Sequence, residues 1–151
     1  MQTPEHSRKA AEVSKAHNTH SDDLRKLSND VSKREINFLK MICHGNAVNA
    51  GWYTNLDTGE FKNLNVGERI SLMHSELSEA FEAHRKNLMD DHLPHRKGIE
   101  VELADTIIRI MDFCGAEDLD IAGAILEKLD YNRRRLDHSI EARKTENAKK
   151  C

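Results

Sequence analysis

Between Glu68 and Asp105 the chain carries two acidic pairs of the same spacing, each set in a run whose apolar residues recur at steps of three and four. The pairs are Glu76-Leu77-Ser78-Glu79 and Glu102-Leu103-Ala104-Asp105. A helix turns every ~3.6 residues, so a separation of three puts both carboxylates of a pair on neighbouring positions of one surface. Ile70, Met73, Leu77, Ala80 and Phe81 supply the apolar stripe of the first run, and Ile99, Leu103, Ile107, Ile110, Met111 and Cys114 that of the second. Two such helices side by side would aim four carboxylates at one place. In apolar surroundings that much negative charge is tolerated when a cation sits among it. The pattern therefore points to paired helices that converge on a divalent metal site.

Composition agrees with long amphipathic helices: 32% of residues are charged and 38% hydrophobic, with only 2 Pro and 7 Gly to interrupt them. The expected fold class is all-α, and 151 residues make one ordinary domain. A formal net charge of -3 supplies no overall basic field, so a polymeric nucleic acid is not an expected partner. Cys43, Cys114 and Cys151 are odd in number and lack a CxxC spacing, which suggests neither a disulfide framework nor a zinc knuckle. No apolar run approaches the ~20 residues that span a bilayer, and the polar start of the chain does not read as a signal peptide. These features together predict a cytoplasmic protein with no membrane partner.

Read in order, residues 1–29 hold few large aliphatics and form an expected mobile or frayed N-terminal arm. A first firm helix is expected to start near Ser28 to Asp30 and to bury Val31, Phe38, Leu39, Ile42 and Val48. The stretch Gly51 to Gly59 reads as a loop. Asn65 and Glu68 have the spacing of a capping box and predict the start of the second helix. Asp90 to Pro94 breaks that helix, and a third follows from about Lys97 to Cys114. Apolar residues cover most of this third helix, so it is expected to be the most buried. Its polar remainder is a narrow strip of Glu102, Asp105, Thr106, Arg109 and Asp112. Gly115-Ala116 closes it, and Asp118 or Asp120 caps a fourth helix whose apolar residues run from Leu119 to Leu136. The domain is thus expected over residues 30–139, with residues 140–151 as a charged tail.

Each feature has a plain alternative. Taken alone, Glu102 and Asp105 read more readily as a solvated strip in which Asp105 and Arg109 form a helical ion pair worth ~0.3–0.5 kcal/mol. The combination weighs against it: two acidic pairs on strongly apolar helices, followed by Lys128, Asn132 and Arg135 on one face of another helix, look like a cation site facing a phosphate site. Trp52 is either a plug at the edge of a core or a stacking platform. The nine His show no metal-ligand pattern, and His74 alone stands near an acidic pair, as a supporting partner. Cys43 and Cys114 read as small buried apolar residues. No P-loop signature, His followed directly by Asp, or ExxH is present, so the carboxylates act through oxygen alone. That donor set favours Mg²⁺, with Mn²⁺ as a substitute.

Glu76-Leu-Ser-Glu79, the gap of 102 − 79 = 23 positions, Glu102-Leu-Ala-Asp105 and the later Lys128, Asn132 and Arg135 resemble the MazG-like members of the all-α nucleoside triphosphate pyrophosphohydrolase superfamily. The resemblance extends over residues 37–138. It departs from the pattern at Ser75, where many members carry an additional Glu. The resemblance implies a bundle of four to five helices completed by oligomerisation, as a homodimer or homotetramer. It implies Glu76, Glu79, Glu102 and Asp105 as Mg²⁺ ligands, with Lys128, Asn132 and Arg135 facing the triphosphate. Trp52 is the candidate for contact with the rest of the substrate. The activity implied is hydrolysis of a nucleoside triphosphate, with a deoxynucleotide favoured, to the monophosphate and pyrophosphate. Water activated by the metal would attack the α-phosphorus, with Glu79 as candidate general base. The reading from another class is a non-catalytic helical module that binds a nucleotide or cation, or a partner protein.

Overall fold

The computed structural model describes residues 4–135 and residue 144. The fold is all-α: the described residues form four helices and two isolated β-bridges, with no strand. Helix α1 spans Pro4–Asn49, α2 Val66–Lys86, α3 Gly98–Ala116 and α4 Ile121–Arg134. Among the described residues no helix is long and apolar enough to cross a membrane. The chain divides into two compact units, one of Ile36–Ile121 and one of Met1–Glu35 with Ala122–Cys151. Leu136, His138 and, Lys144 apart, the tail over 140–151 lie outside the described residues.

Helix α1 begins at Pro4, well upstream of the start expected near Ser28 to Asp30. Its sole proline stands at the first helical residue, where a missing N–H costs nothing, and no glycine follows before Gly45. The small polar residues at Ser28 to Asp30 therefore do not act as a cap. The second helix starts as expected, with Asn65 Oδ1 accepting the backbone N–H of Glu68 at 3.2 Å. Asn87 ends it in the left-handed conformation, at φ 51°. In the loop that follows, Asp90 Oδ1 accepts the N–H groups of His92 and Leu93, at 3.0 and 2.5 Å.

In the unit Ile36–Ile121, α2 and α3 pack along each other, and the second half of α1 closes on the end of α3. Two glycines permit these approaches. A Cβ at Gly98 would lie 3.0 Å from that of Ala83, and one at Gly115 would lie 2.5 Å from that of His44. Lys40 Nζ donates to the Leu119 carbonyl at 2.9 Å, which ties α1 to the residues just after α3.

The burial pattern corrects the expected stripes. Phe38, Leu39, Ile42 and Val48 of α1 are exposed, as are Ile70, Leu77 and Phe81 of α2 and Leu103, Ile107 and Ile108 of α3. The buried residues of this unit are instead small or polar: Cys43, Ala80, Ala83 and Cys114, with Tyr53 and Met111, beside Glu76, Thr106 and Asp112. Helices α2 and α3 meet through Ala and Gly, and of the polar strip of α3 Thr106 and Asp112 are buried while Glu102, Asp105 and Arg109 are half-buried. Helix α3 still buries more residues than α2, but through Gly98, Thr106, Met111, Asp112 and Cys114 rather than through Leu103 and Ile107.

Candidate metal centre and adjoining cavity

Glu76 stands on the inward face of α2, where its side chain is 8% exposed. Across from it on α3 are Glu102 and Asp105, and one carboxylate oxygen from each of the three lies within 4.8 Å of the others. The three-residue step of the second pair achieves this convergence, because Glu102 and Asp105 share one side of α3 while Glu76 approaches from the neighbouring helix. Glu79 is exposed and lies outside the trio, yet its charge adds to the repulsion felt by Glu102. The structure thus brings together three of the four expected ligands.

The electrostatics show what such crowding costs. Burial, followed by a hydrogen bond with Glu76 and the charges of Glu79, Glu76 and Asp105, pushes the Glu102 carboxyl up to about 7 from its ordinary 4.5. Burial and then the charge of Glu76 raise Asp105 as well, partly offset by Arg109. Arg109 also supplies the neutralising contact: its Nε donates to Glu76 Oε1 at 2.6 Å. In place of the Asp105 and Arg109 pair of the solvated-strip alternative, Arg109 forms a bridge between helices, because the inward face of α2 presents a more buried carboxylate. All donors in the trio are oxygen, and the group already draws in a cation. Both features suit a hard divalent ion such as Mg²⁺ or Mn²⁺.

Beside the trio opens a cavity of ≈ 570 Å³. Asp105, Arg109 and Asp112 line it from α3, Arg69 from α2, Asn46 from α1, and Trp52 and Asn63 from the connecting loop. Trp52 is 66% exposed, so it is not a core plug. The plug is its neighbour Tyr53, which is buried with its hydroxyl donating to Asp112 Oδ1 at 2.6 Å. His44 Nδ1 lies 3.0 Å from the same oxygen and its ring stands edge-on to Tyr53 at 5.0 Å. Arg69 faces the other oxygen of Asp112 at 3.8 Å and lies 5.0 Å from the centre of the Tyr53 ring. Burial and the bond to Asp112 push the Tyr53 hydroxyl well above its ordinary range, which keeps it a donor. Burial likewise raises the thiols of Cys43 and Cys114, in keeping with their expected role as inert packing residues.

Comparison with known proteins yields no matching family model, no matching curated sequence and no matching solved structure.

Other expected site residues are placed differently. His74 is exposed on α2, and the histidine built into the polar network is His44. Lys128, Asn132 and Arg135 belong to the unit that contains α4, whereas the carboxylates belong to the other. Within that unit Lys128 Nζ lies 4.6 Å and the Arg135 guanidinium 5.8 Å from the centre of the Tyr131 ring. Among the described residues, Asn132 Oδ1 is buried with no hydrogen-bond partner. His44, Tyr53 and Arg69 escaped the sequence reading because no local pattern marks them: His44 and Tyr53 meet Asp112 across 68 and 59 positions. Asp112 and Arg109 did carry a signal, as members of the polar strip that continues from Asp105.

Proposed function

We propose that the chain is a divalent-cation-dependent hydrolase of a phosphoric anhydride, acting on a nucleoside triphosphate to give the monophosphate and pyrophosphate. The observation that carries the reading is the convergence of Glu76, Glu102 and Asp105 within 4.8 Å at the edge of a ≈ 570 Å³ cavity. Carboxylates held this close, with one already satisfied by a guanidinium, form a site that gains stability from a hard cation. A bound Mg²⁺ would supply Lewis acidity, lowering the pKa of a water and offsetting charge on phosphate oxygens. The cavity volume is in the range of small-molecule sites. Trp52, exposed at its rim, offers a face on which a base can stack. Glu79, next to the trio and open to solvent, is the candidate to accept the proton of the attacking water.

A homo-oligomer accompanies this reading. Ile70, Leu77 and Phe81 lie on one side of α2 at steps of seven and four, and are exposed together with Leu103 and Ile107 on α3. A second copy of the chain would cover these side chains. Sedimentation velocity should show a dimer or larger species, and Phe81→Glu should shift it toward monomer. Turnover of a panel of ribonucleoside and deoxynucleoside triphosphates with Mg²⁺, by the native chain and by Asp105→Asn, tests the activity. The reading requires turnover that Asp105→Asn abolishes. Saturable nucleotide binding with no turnover would replace it with a non-catalytic module.

A further inference from the structure

We infer that Arg109 is the resident counter-ion of the carboxylate trio and is exchanged, when a divalent ion enters, from Glu76 to an anionic phosphoryl oxygen in the adjoining cavity. The inference rests on the reading of the trio as a cation site and assigns a binding role to a residue outside the motif. Three placements support it. The first is the contact itself: the 2.6 Å bond from Arg109 Nε engages a carboxylate oxygen of Glu76, the most buried member of the trio. A divalent ion coordinated by Glu76 meets the guanidinium as a competitor, because two cations on one carboxylate group repel each other.

The second placement is the freedom of the arginine. Its side chain is 40% exposed and lines the cavity, so the guanidinium can leave Glu76 without becoming buried and unpaired. Arg69, the neighbouring guanidinium in the same cavity, stands 3.8 Å from buried Asp112 and 5.0 Å from the centre of the Tyr53 ring, partners outside the trio. Arg109 is thus the cavity arginine whose partner the metal would take. The third placement is position along α3. Arg109 falls one turn beyond Asp105 and one short of Asp112, and all three residues line the cavity. A released guanidinium at that level lies beside any phosphate that bridges to the trio, and its planar fork suits phosphoryl oxygens. The exchange would couple the two ligands: cation entry frees the group that then binds the anion.

The test uses the full chain as wild type, Arg109→Gln and Arg109→Lys. Calorimetric titration with Mn²⁺, without nucleotide, should show roughly threefold to tenfold tighter binding to Arg109→Gln, since the ion no longer displaces a guanidinium. At saturating Mn²⁺, a triphosphate with a non-hydrolysable α,β-methylene bridge should bind the same variant on the order of tenfold more weakly, the loss expected for a charge-assisted hydrogen bond. Arg109→Lys should fall between. The opposite signs separate an exchange from a structural role, which would weaken both. In wild-type protein with ¹⁵N-arginine, the Nε–H resonance lost in Arg109→Gln should move during a Mg²⁺ titration, with the midpoint of metal binding. This readout does not depend on how the variants fold. Metal binding with that resonance unmoved, or Mn²⁺ affinity in Arg109→Gln equal to or below wild type, overturns the exchange alone. Absence of metal binding in wild type and variant overturns the exchange together with the cation site.

Discussion

Replacing Glu102 by Gln should stabilise the metal-free protein above neutral pH, against the usual outcome for a half-buried polar residue. The folded chain holds the Glu102 carboxyl at about 7, against 4.5 in the ordinary state. A carboxyl raised on folding contributes stability that is fully present below the ordinary value and lost as pH climbs through the folded one. Ionised Glu102 therefore opposes folding at pH 8. The interval from 4.5 to about 7 sets an upper bound of about 3 kcal/mol, and contact of the group with water reduces it to about 1–2 kcal/mol. A Gln amide can still donate to Glu76, as the protonated acid does, but adds no charge to the trio. Urea unfolding in EDTA at pH 5 and pH 8 measures the effect. Wild type should lose stability between the two, Arg109 and the other charges being present in both proteins, while the variant exceeds wild type at pH 8 and approaches it at pH 5. A variant no more stable than wild type at pH 8 would refute the crowding on which the metal site rests.

Saturating Mg²⁺ should raise the melting temperature of wild type, by a linkage worth ~2.7 kcal/mol at 100 times the dissociation constant, and should raise that of Glu102→Gln much less; differential scanning calorimetry with and without chelator reads both. Gly115→Ala would place a Cβ 2.5 Å from that of His44, so it should cost about 1–3 kcal/mol in chemical denaturation as the two helices are forced apart. Tyr53→Phe leaves buried Asp112 without its 2.6 Å donor and should cost about 1–3 kcal/mol by the same assay, with the loss of near-ultraviolet ellipticity beginning at lower urea.

The helical class, the start of α2 and the span of α3 were legible because each depends on residues a few positions apart. Asn65 with Glu68 marks a cap, whereas α2 ends at Asn87, ahead of the break expected at Asp90 to Pro94. The α3 half of the carboxylate trio was legible for the same reason, since the three-residue step puts Glu102 and Asp105 on one side of that helix, whereas on α2 only Glu76 joins them and Glu79 does not. What the sequence did not show is which way the helices face. An apolar stripe of Ile70, Leu77 and Phe81 ordinarily implies an inward side, yet here the inward side is Ala80, Ala83 and Glu76, with Ala83 in close approach to Gly98. The local step of four offers Asp105 to Arg109, but a more buried acid on another helix competes for it. His44 from α1, Tyr53 from the loop after it and Arg69 from α2 enter the site by meeting at Asp112 of α3, a tertiary event with no local signature.

The most direct test of the proposed chemistry is the identity of the bond that breaks. Hydrolysis of a preferred triphosphate in ¹⁸O-labelled water with Mg²⁺, followed by mass spectrometry of the products, places the attacking oxygen. Attack at the α-phosphorus gives monophosphate carrying the label and unlabelled pyrophosphate, with both absent from Asp105→Asn. Nucleoside diphosphate with labelled inorganic phosphate as the first products would contradict it.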